Sequence, residues 1–585
     1  MKQTSKILSI VALFAAGALT VGCNSLKEEL EVSVPDTVQV KTFTSTVGFD
    51  ATKALTSAGV KTFAADETIA VFYTNESSNL VKTTYTFTAG DLIDGGRRAT
   101  ITVSMDEPQA NGAVKYIYPA AMANNDGSVN YSALNAQDGT LETLAANFDV
   151  ATFDGNLTAE AALPASVNLS NQLAIGEFTI KNWGGDAITN SITSLTVENG
   201  GNSYTVSPSS LDTIYVAMQP VTTGDIVFTA TDGTSNYCKT VSGKTLARNN
   251  LYPVSLKMNK VVSLDALESD YTALDGDILT GTRDGTYQIS ITDGATVTLK
   301  DVDITGKGEE YNGFPGITCL GDATIMLSGT NSVKGGADEY GSGTGGWPGI
   351  FVPYDKTLTI DGTGSLDARP SGSNEWAPGI GSSCDDWCGN IIIQGGSVTA
   401  TGGYRSAGIG GGCFSEFGCG NITITGSANV SATGGNGAAG IGSGYNTNSS
   451  CGNITISTTG TVTAQGGREG AGIGTGYRGN CGNITISKGT VTATGKARAA
   501  GIGTGWPDGI GSSICGDITI TTGVTSVTAT KGSGGQCSIG KGEYGANCNS
   551  VTIGGTVYME GGFFIVDEEI DGETYLTQSP LVYTP

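Results

Sequence analysis

Aromatic and arginine side chains recur on both sides of a short glycine–isoleucine phrase in the C-terminal half of this chain. Aromatic rings stack on the faces of sugar rings, and a guanidinium group can hold hydroxyls or carboxylates through two parallel hydrogen bonds. Both residue types therefore suit a surface that binds a long flexible polymer. The residues assigned to this candidate carbohydrate-binding surface are Phe314, Trp347, Trp376, Tyr404, Arg405, Tyr445, Arg468, Tyr477, Arg498 and Trp506.

The phrase itself, for example Gly408-Ile409-Gly410, predicts an isoleucine that faces the core and glycines that face outward. The outer surface would then be a floor of bare backbone between aromatic and arginine walls. In the alternative interpretation the glycines only permit tight turns, and the aromatic residues stack on one another to stabilise the repeats. The sequence alone leaves both interpretations open.

Cysteines recur at the same period, each followed by Gly and then Asn or Asp: Cys388, Cys419, Cys451, Cys481, Cys515 and the degenerate Cys548. A metal site is disfavoured because the chain contains no Cys-x-x-Cys pair and no histidine. An exported protein can be oxidised, and neighbouring repeats hold cysteines within disulfide reach. We therefore favour some disulfides between or within repeats, with Cys384–Cys388 and Cys413–Cys419 as the local candidates. Buried thiols acting as small apolar residues are the alternative.

Composition excludes several kinds of function. The absence of histidine rules out Ser-His-Asp and Cys-His catalysis and imidazole metal sites. A formal net charge of -25 disfavours nucleic acid as a partner, because phosphate contacts need clustered Lys and Arg.

Carboxylates raise the possibilities of catalysis and of calcium binding. Paired carboxylates cleave polysaccharides in some β-helical enzymes, and the candidates here are Asp361, Asp367, Asp385 and Asp386, with Arg369 nearby. The repeats lack the concentrated break where such an active site is built, so we expect no enzyme. No cofactor is expected either, with calcium the one candidate ion. Its candidate positions are Asp301 with Asp303, Glu309 with Glu310, and Asp385 with Asp386.

A repeat of about thirty residues must position these side chains. Its anchoring isoleucines are Ile317, Ile350, Ile380, Ile409, Ile441, Ile473, Ile502 and Ile539. Each copy supplies three short strands separated by Gly turns, which predicts a parallel β-helix of stacked rungs. In Ile454-Thr455-Ile456 the isoleucines should point inward and the threonine outward. The asparagines Asn390, Asn421, Asn453 and Asn483 should stack as an amide ladder, continued by Asp517.

Residues 32–256 contain many short alternating strands, which indicates β-sandwiches. Three of their segments resemble the fimbrillin-like family: Phe63 to Val71, with Asp66-Glu67 where the family has Gly-Asp; Tyr116-Ile117-Tyr118-Pro119; and Arg248 to Val254. Members of that family are two-domain β-sandwich lipoproteins that build or decorate fimbriae, and the resemblance implies the same organisation here. Fimbrial shaft subunits usually end after the second sandwich, whereas this chain continues, which favours a surface-anchored or tip-like adhesin.

The repeats themselves, over roughly 277–555, resemble β-helical carbohydrate-binding modules of bacterial surface proteins. Some members of that group bind plant cell-wall polysaccharides through calcium. The repeated Gly-Ile and Ile-Thr-Ile phrases carry this resemblance.

The N-terminus resembles a bacterial lipoprotein signal peptide. Lys2 and Lys6 precede an apolar run that ends at Leu19-Thr20-Val21-Gly22-Cys23, which predicts cleavage before Cys23 and acylation of its thiol. Lys27-Glu28-Glu29 resembles an export signal to the outer face of the cell. Plain secretion is the alternative.

The predicted fold class is all-β, with two fimbrillin-like β-sandwiches followed by a right-handed parallel β-helix. The predicted boundaries are 1–22 signal peptide, 23–34 linker, 35–145 and 146–259 sandwiches, 260–565 β-helix and 566–585 cap. We expect a lipid-anchored adhesin or fimbrial tip or accessory protein at the outer membrane or in a fimbria. Its expected partners are a host or dietary polysaccharide, the membrane and other fimbrial subunits. The alternatives are a fimbrial subunit with the β-helix as spacer, and a polysaccharide lyase or hydrolase.

Overall fold

The structure is a computed structural model that describes residues 40–49, 62–188, 191–208, 212–308, 313–337, 345–372, 374–384, 386–413, 418–446, 449–508 and 513–585. The predicted signal peptide, the lipidation site Cys23, the pair Glu309–Glu310 and Asp385 lie outside these ranges. No helix within them is both long enough and apolar enough to cross a membrane.

Eight strands form the first sheet. They are β1 Val40–Phe49, β2 Thr68–Thr74, β3 Leu80–Thr86, β4 Leu92–Ile93, β5 Arg98–Asp106, β6 Ala113–Tyr118, β7 Ala151–Asn156 and β8 Ser166–Asn171. Their order is β3-β2-β6-β7-β8-β1-β5-β4. In β5, buried and exposed residues alternate because successive side chains of a strand point to opposite faces. Strand β2, between β3 and β6, is instead buried on both faces. One face packs in the core of the first sheet, and the other packs in a second core shared with residues from Leu173 onward.

The second unit contains the next seven strands, β9 Ala174–Asn182, β10 Ser194–Asn199, β11 Asn202–Val206, β12 Ile214–Met218, β13 Val221–Thr231, β14 Asn236–Leu246 and β15 Leu251–Ser263. Helical turns lie at Ala89–Asp91, Asp94–Gly96, Ala120–Met122, Tyr131–Ala136, Leu141–Thr143, Leu144–Phe148 and Leu264–Ala266. Strand β15 runs parallel to β9 along most of its length and antiparallel to β14 near its end.

The end of β15 also joins the second unit to the C-terminal half. Its residues Val261–Ser263 pair in parallel with Ile278–Thr280, the first rung of the repeat region. Val262 belongs to the same hydrophobic cluster as the isoleucines of the repeats. The two units are therefore connected by a continuous ladder of backbone hydrogen bonds and a continuous core.

The repeats form a β-solenoid, so the predicted all-β class and the β-helix are confirmed; its right-handedness stays a prediction. One ladder, which we call the Gly-Ile ladder, contains ten parallel strands within the described ranges. These are Tyr271–Ala273, Ile289–Ile291, Ile317–Cys319, Ile350–Phe351, Ile380–Gly381, Ile409–Gly410, Ile441–Gly442, Ile473–Gly474, Ile502–Gly503 and Ile539–Gly540. Every isoleucine that anchors a repeat is fully buried.

The other two strands of each repeat form two further parallel ladders. The Ile-Thr-Ile ladder contains Ile278–Asp284, Ala295–Thr305, Ala323–Ser328, Thr357–Gly362, Asn390–Ile393, Ile422–Gly426, Ile454–Gln465, Ile484–Thr494, Ile518–Ile520 and Val551–Ile553. The Val-Thr-Ala ladder contains Thr330–Lys334, Ser365–Arg369, Ser397–Thr401, Asn429–Thr433 and Ser526–Thr530, together with the second halves of the longest strands. In Ile454–Gln465 the isoleucines, Val462 and Ala464 are buried while Thr463 is exposed, as the alternation predicts.

The Cys-Gly-Asn phrase runs along one corner of the solenoid. Its short strands are Ser450–Cys451, Asn480–Cys481, Ile514–Cys515 and Asn547–Cys548, and isolated bridges extend them to Cys388 and Cys419. The asparagines do form a ladder, in which the backbone N–H of one asparagine donates to the side-chain oxygen of the asparagine in the preceding rung. The backbone N–H of Asn453 donates to Oδ1 of Asn421 at 2.8 Å, and Asn483 N–H donates to Oδ1 of Asn453 at 2.8 Å.

Both local disulfide candidates are wrong. Cys384 is bonded to Cys413 of the next rung, with Cα atoms 4.8 Å apart, whereas Cys388 and Cys419 are free thiols. The reason is geometric, because parallel stacking places equivalent corners of adjacent rungs at disulfide distance. The Cys384–Cys413 bond joins two adjacent rungs. The sequence predicts disulfides between repeats or within a repeat, and this bond is of the first kind.

The chain ends with antiparallel pairing that interrupts the stacking. Strands Thr556–Glu560 and Phe563–Phe564 fold back on the last rung, and helix Gly572–Thr577 follows. Strand Leu581–Tyr583 then pairs antiparallel with Val527–Ala529. These elements cover an open end that would otherwise offer unpaired backbone groups.

The first prediction concerns the thiols. The free cysteines of the described ranges are Cys238, Cys319, Cys388, Cys419, Cys451, Cys481, Cys515, Cys537 and Cys548. Burial raises the pKa of Cys319 and of Cys537 to about 12, and hydrogen bonding to the neighbouring thiol with burial raises that of Cys451. The thiolate is the reactive form, and a buried sulfur is also out of reach of the reagent, so alkylation of the native, unreduced protein should be slow at all buried thiols.

Alkylation followed by peptide mass spectrometry checks this, with half-buried Cys238 as the internal control that reacts first. After unfolding without reductant, all nine thiols should be labelled and only the Cys384–Cys413 crosslink should remain. A crosslinked Cys481–Cys515 peptide would contradict the assignment of these stacked cysteines as free thiols.

Candidate ligand-binding surface

The glycines of the Gly-Ile ladder do not form an exposed floor, so that expectation is wrong. Gly408, Gly410 and Gly442 are buried. Gly442 has φ +134, and a Cβ at this position would collide with the carbonyl oxygen of Gly474 in the next rung. The loop also closes over the strand, since Ala439 N–H donates to Ser443 O at 3.1 Å. The structure therefore supports the tight-turn interpretation of these glycines.

A β-turn precedes the strands of this ladder from Ile409–Gly410 to Ile539–Gly540. Its closing hydrogen bond runs from Ser406 N–H to Gly403 O at 3.2 Å in one rung, and equivalent bonds recur in the rungs that follow. The third residue of the turn has a left-handed backbone, at Arg405 with φ 64, Glu469 with φ 71 and Arg498 with φ 63. Glycine takes this position in other rungs, as at Gly437 with φ 81. A left-handed conformation costs a non-glycine residue about 1 kcal/mol, so these charged side chains occupy a place where glycine would be less strained.

The segment after each strand lies beside the turn of the preceding rung. The N–H of Tyr445 donates to Arg405 O at 3.0 Å, and the N–H of Trp506 donates to Glu469 O at 3.0 Å. The two predicted walls therefore merge into a single line of side chains that crosses five successive rungs. We call this line the aromatic column; it consists of Trp376, Tyr404, Arg405, Tyr445, Tyr477, Arg498 and Trp506.

Ring and guanidinium contacts run without a break along the aromatic column. At one end, Trp376 and Tyr404 have ring centroids 5.5 Å apart. Arg405 lies 5.2 Å from the Trp376 ring and 4.2 Å from the Tyr445 ring. Each such cation–π contact contributes about 0.5–1 kcal/mol when it is partly exposed.

The column continues to its other end in the same way. Tyr445 and Tyr477 stack with ring centroids 4.5 Å apart and planes only 12° apart. Tyr477 meets Trp506 at 5.4 Å with planes 64° apart, and Arg498 lies 4.5 Å from the Trp506 ring.

Accessibility divides the column into a supporting centre and exposed ends. Tyr477 is only 9% exposed, and its face is covered by Tyr445. Trp376, Tyr404 and Trp506 are half-buried and tilted, and the side chain of Arg498 is 48% exposed. The centre therefore holds rungs together, and the ends can contact a ligand.

Acidic residues fix several of these groups. The Tyr477 hydroxyl donates to Asp508 Oδ2 at 2.5 Å, and Asp508 also pairs with Arg478. Burial, together with this hydrogen bond, raises the pKa of Tyr477 well above its usual range. Arg498 lies 3.7 Å from Glu543. Sequence reasoning missed Arg478 and Asp508, whose only signal is their place one and two residues after Tyr477 and Trp506.

Three predicted residues lie outside the column. Arg468 borders it through its ion pair with Glu469 at 3.4 Å, and its side chain is 73% exposed. Phe314 and Trp347 are half-buried on earlier rungs, where no aromatic ring of the described residues contacts them.

A second aromatic pair was missed. Tyr354 and Trp387 have ring centroids 4.5 Å apart and are 59% and 37% exposed. Tyr354 follows its anchoring isoleucine by four residues, as Tyr445 and Tyr477 do, so a signal was present in the repeat. The disulfide cysteines Cys384 and Cys413 hold the same offset in the two rungs between.

The candidate catalytic and calcium-binding carboxylates are mostly engaged with the protein itself. Asp301 Oδ1 accepts from Thr330 N–H at 2.9 Å, and Asp361 Oδ1 accepts from Gly362 N–H at 2.7 Å. Asp386 Oδ1 accepts from Trp387 N–H at 2.8 Å. No cluster of three or more possible ligands for a metal ion occurs in the described part of the chain. Calcium binding stays a prediction.

Comparison with known proteins supports the repeat architecture. The family model of the beta helix repeat matches residues 391–413, 422–445, 454–477 and 484–506. These segments are similar to beta helix repeats. They contain every residue of the column except Trp376. No curated protein matches the chain.

Two solved structures illustrate what this chain is similar to. One is a "putative cell adhesion protein" from Bacteroides fragilis NCTC 9343, with 12% identity, a TM-score of 0.25, and coverage of 36% of this chain and 90% of that one. The other is a fimbrial assembly protein from Parabacteroides distasonis ATCC 8503, with 13% identity, a TM-score of 0.23, and coverage of 37% and 90%. Fimbrial and adhesion proteins are thus among the matches, as the sequence resemblance predicts. At these TM-scores the likeness contributes nothing to the assignment of a function.

The second prediction tests the left-handed turn. Arg498→Ala and Arg498→Gly both remove the contact with Trp506, but only the glycine variant relieves the backbone. We expect Arg498→Gly to exceed Arg498→Ala in free energy of unfolding by about 1 kcal/mol. Denaturation followed by circular dichroism measures the difference. At the strand residue Thr463 the same two substitutions serve as control, and there alanine should be the more stable. The same order at both sites would refute the strained turn.

Proposed function

We propose that this protein is a cell-surface adhesin or fimbrial accessory protein that binds polysaccharide through the aromatic column. The observation that carries the proposal is the unbroken line of rings and guanidinium groups across five successive rungs. Sugar rings stack on aromatic faces, and guanidinium groups donate pairs of parallel hydrogen bonds to oxygen atoms. The column presents both kinds of group along one direction.

The members of the column have different roles in this proposal. Tyr445 and Tyr477 cover each other and support the surface. Trp376, Tyr404 and Trp506 at the tilted ends provide the stacking faces. Arg405 and Arg498 provide the hydrogen-bond donors. Their left-handed backbone supports a functional role, because glycine would fit the turn better and yet would offer no side chain to a ligand.

The repeat spacing suits an extended polymer. Rungs of parallel strands are separated by roughly 4.8 Å, so the column extends over about 20 Å. A polymer can therefore contact several rungs at once, and each further contact is intramolecular once the first has formed. The packed solenoid holds these groups in place before the ligand arrives, which lowers the entropic cost of binding.

The N-terminal half serves as the connection to the cell in this proposal. Acylation at Cys23 would anchor the chain at the outer membrane, and the two sheet units would act as a stalk. The continuous ladder from β15 into the first rung supports this arrangement, since it makes the joint rigid. Other fimbrial subunits are candidate partners of the stalk.

A second candidate function is a fimbrial accessory subunit in which the solenoid is only a rigid spacer. The mutual covering of Tyr445 and Tyr477 favours it, because such stacking stabilises rungs without any ligand. In that case polysaccharides would not bind, and the chain would co-purify with fimbriae.

The third prediction separates the two functions. Trp376→Ala and Trp506→Ala remove one stacking face at each end of the column. Each should weaken polysaccharide binding at least about tenfold, which corresponds to about 1.4 kcal/mol. A glycan array with purified protein, with and without calcium, identifies the ligand, and titration calorimetry then measures the variants.

Phe563→Ala is the matched control, because Phe563 is 77% exposed but lies in the C-terminal fold-back. It should bind as the unchanged protein does. If no glycan on the array binds in either condition, the spacer function replaces the adhesin.

A further inference from the structure

A concave site with two cations lies beside one end of the aromatic column. It encloses about 530 Å³, and its walls contain Lys334, Arg369, Pro370, Ser371 and Thr401. Lys334 and Arg369 are direct partners in adjacent parallel strands of the Val-Thr-Ala ladder. The in-register stacking of the rungs therefore brings together two positive charges that are distant in sequence.

Both cations keep donor capacity for a ligand. Lys334 Nζ lies 3.5 Å from Asp303, and Arg369 Nε lies 3.5 Å from Asp367. Exposed ion pairs of this length contribute only about 0–1 kcal/mol, so they yield readily to a better placed anion. Within the described residues, no acceptor is bonded to the terminal guanidinium nitrogens of Arg369.

The cationic site borders the Trp376–Tyr404 end of the column. Gly403, which precedes Tyr404, is the link: a Cβ there would lie 3.1 Å from the Pro370 ring and would collide with the carbonyl oxygen of Glu375. Glu375 directly precedes Trp376. A sugar ring that lies on this aromatic end therefore has the cationic site next to it.

We propose that Lys334 and Arg369 bind the anionic substituent of an acidic polysaccharide, a carboxylate or a sulfate ester, whose ring stacks on Trp376 and Tyr404. This inference rests on the proposed function and names its substrate class. A guanidinium fork holds a carboxylate or sulfate through two parallel hydrogen bonds, and the neighbouring ammonium adds a point charge. The site therefore selects charged chains over neutral chains of the same backbone.

The local cations also answer an electrostatic difficulty. The protein has a net charge of -25, which repels a polyanion at long range. That repulsion is largely screened at distances beyond about 8 Å at physiological salt, whereas two charges in direct contact are closer than this distance. Binding of an acidic chain thus requires cations at the point of contact, and the Lys334–Arg369 site provides them.

The test measures the affinity of the full chain for matched probes. Polygalacturonate is compared with its fully methyl-esterified form, which is neutral, and this pair tests a carboxylate. Chondroitin sulfate is compared with desulfated chondroitin, which keeps its uronate carboxylates, and this pair tests the sulfate ester. The variants are Arg369→Gln, Lys334→Gln and Trp376→Ala. Lys488→Gln is the control for loss of an exposed positive charge elsewhere on the solenoid.

We expect Arg369→Gln and Lys334→Gln to weaken binding of polygalacturonate or of chondroitin sulfate at least about tenfold, and to leave binding of the neutral methyl-esterified polygalacturonate unchanged. Trp376→Ala should weaken binding of both forms, and Lys488→Gln neither. If Arg369→Gln binds the acidic probe like Lys488→Gln while Trp376→Ala still weakens binding, the cationic site is refuted and the proposed function stands. If the unchanged protein binds no polysaccharide, both are refuted.

Discussion

Parallel stacking of one rung on the next through backbone hydrogen bonds determines the position of every side chain in the C-terminal half. The ladders pair equivalent residues of successive repeats, for example Ile441 with Ile473 and Gly442 with Gly474. No space remains between rungs for a Cβ at Gly442, so the glycines of the phrase are a requirement of the stacking. Like residues therefore form lines along the solenoid, and each line has one spacing and one environment.

This constraint explains why the candidate binding groups are found at the corners of the rungs. Inside, the lines are isoleucine, valine and alanine, and along one corner they are cysteine and asparagine that hold adjacent rungs together. In the loops around the Gly-Ile ladder the stacking permits large, partly exposed aromatic side chains. There the turn before the strand of one rung contacts the segment after the strand of the following rung, as Arg405 contacts Tyr445. In our proposal, this contact between successive rungs creates the polymer-binding surface.

The sequence predicts the solenoid well because its signal is a repeated phrase, in which strands, inward isoleucines and outward threonines follow from alternation alone. The candidate site was harder to predict. The period shows which residues share a line along the solenoid, but it does not show which lines are neighbours. The sequence therefore could not show that the aromatic residues before and after each Gly-Ile strand form a single column. Burial of Gly410 and the Cys384–Cys413 bond depend on how loops close in three dimensions, and local spacing pointed to the wrong partners.

The central claim is that the exposed ends of the aromatic column contact the ligand. Hydroxyl-radical footprinting of the full chain, read by mass spectrometry with and without the best-binding polysaccharide, measures side-chain accessibility at single residues. We expect the ligand to lower oxidation of Trp376, Tyr404 and Trp506 and to leave Tyr544, which is 80% exposed, unchanged. Protection of the Tyr354–Trp387 pair with no change at the column would contradict it.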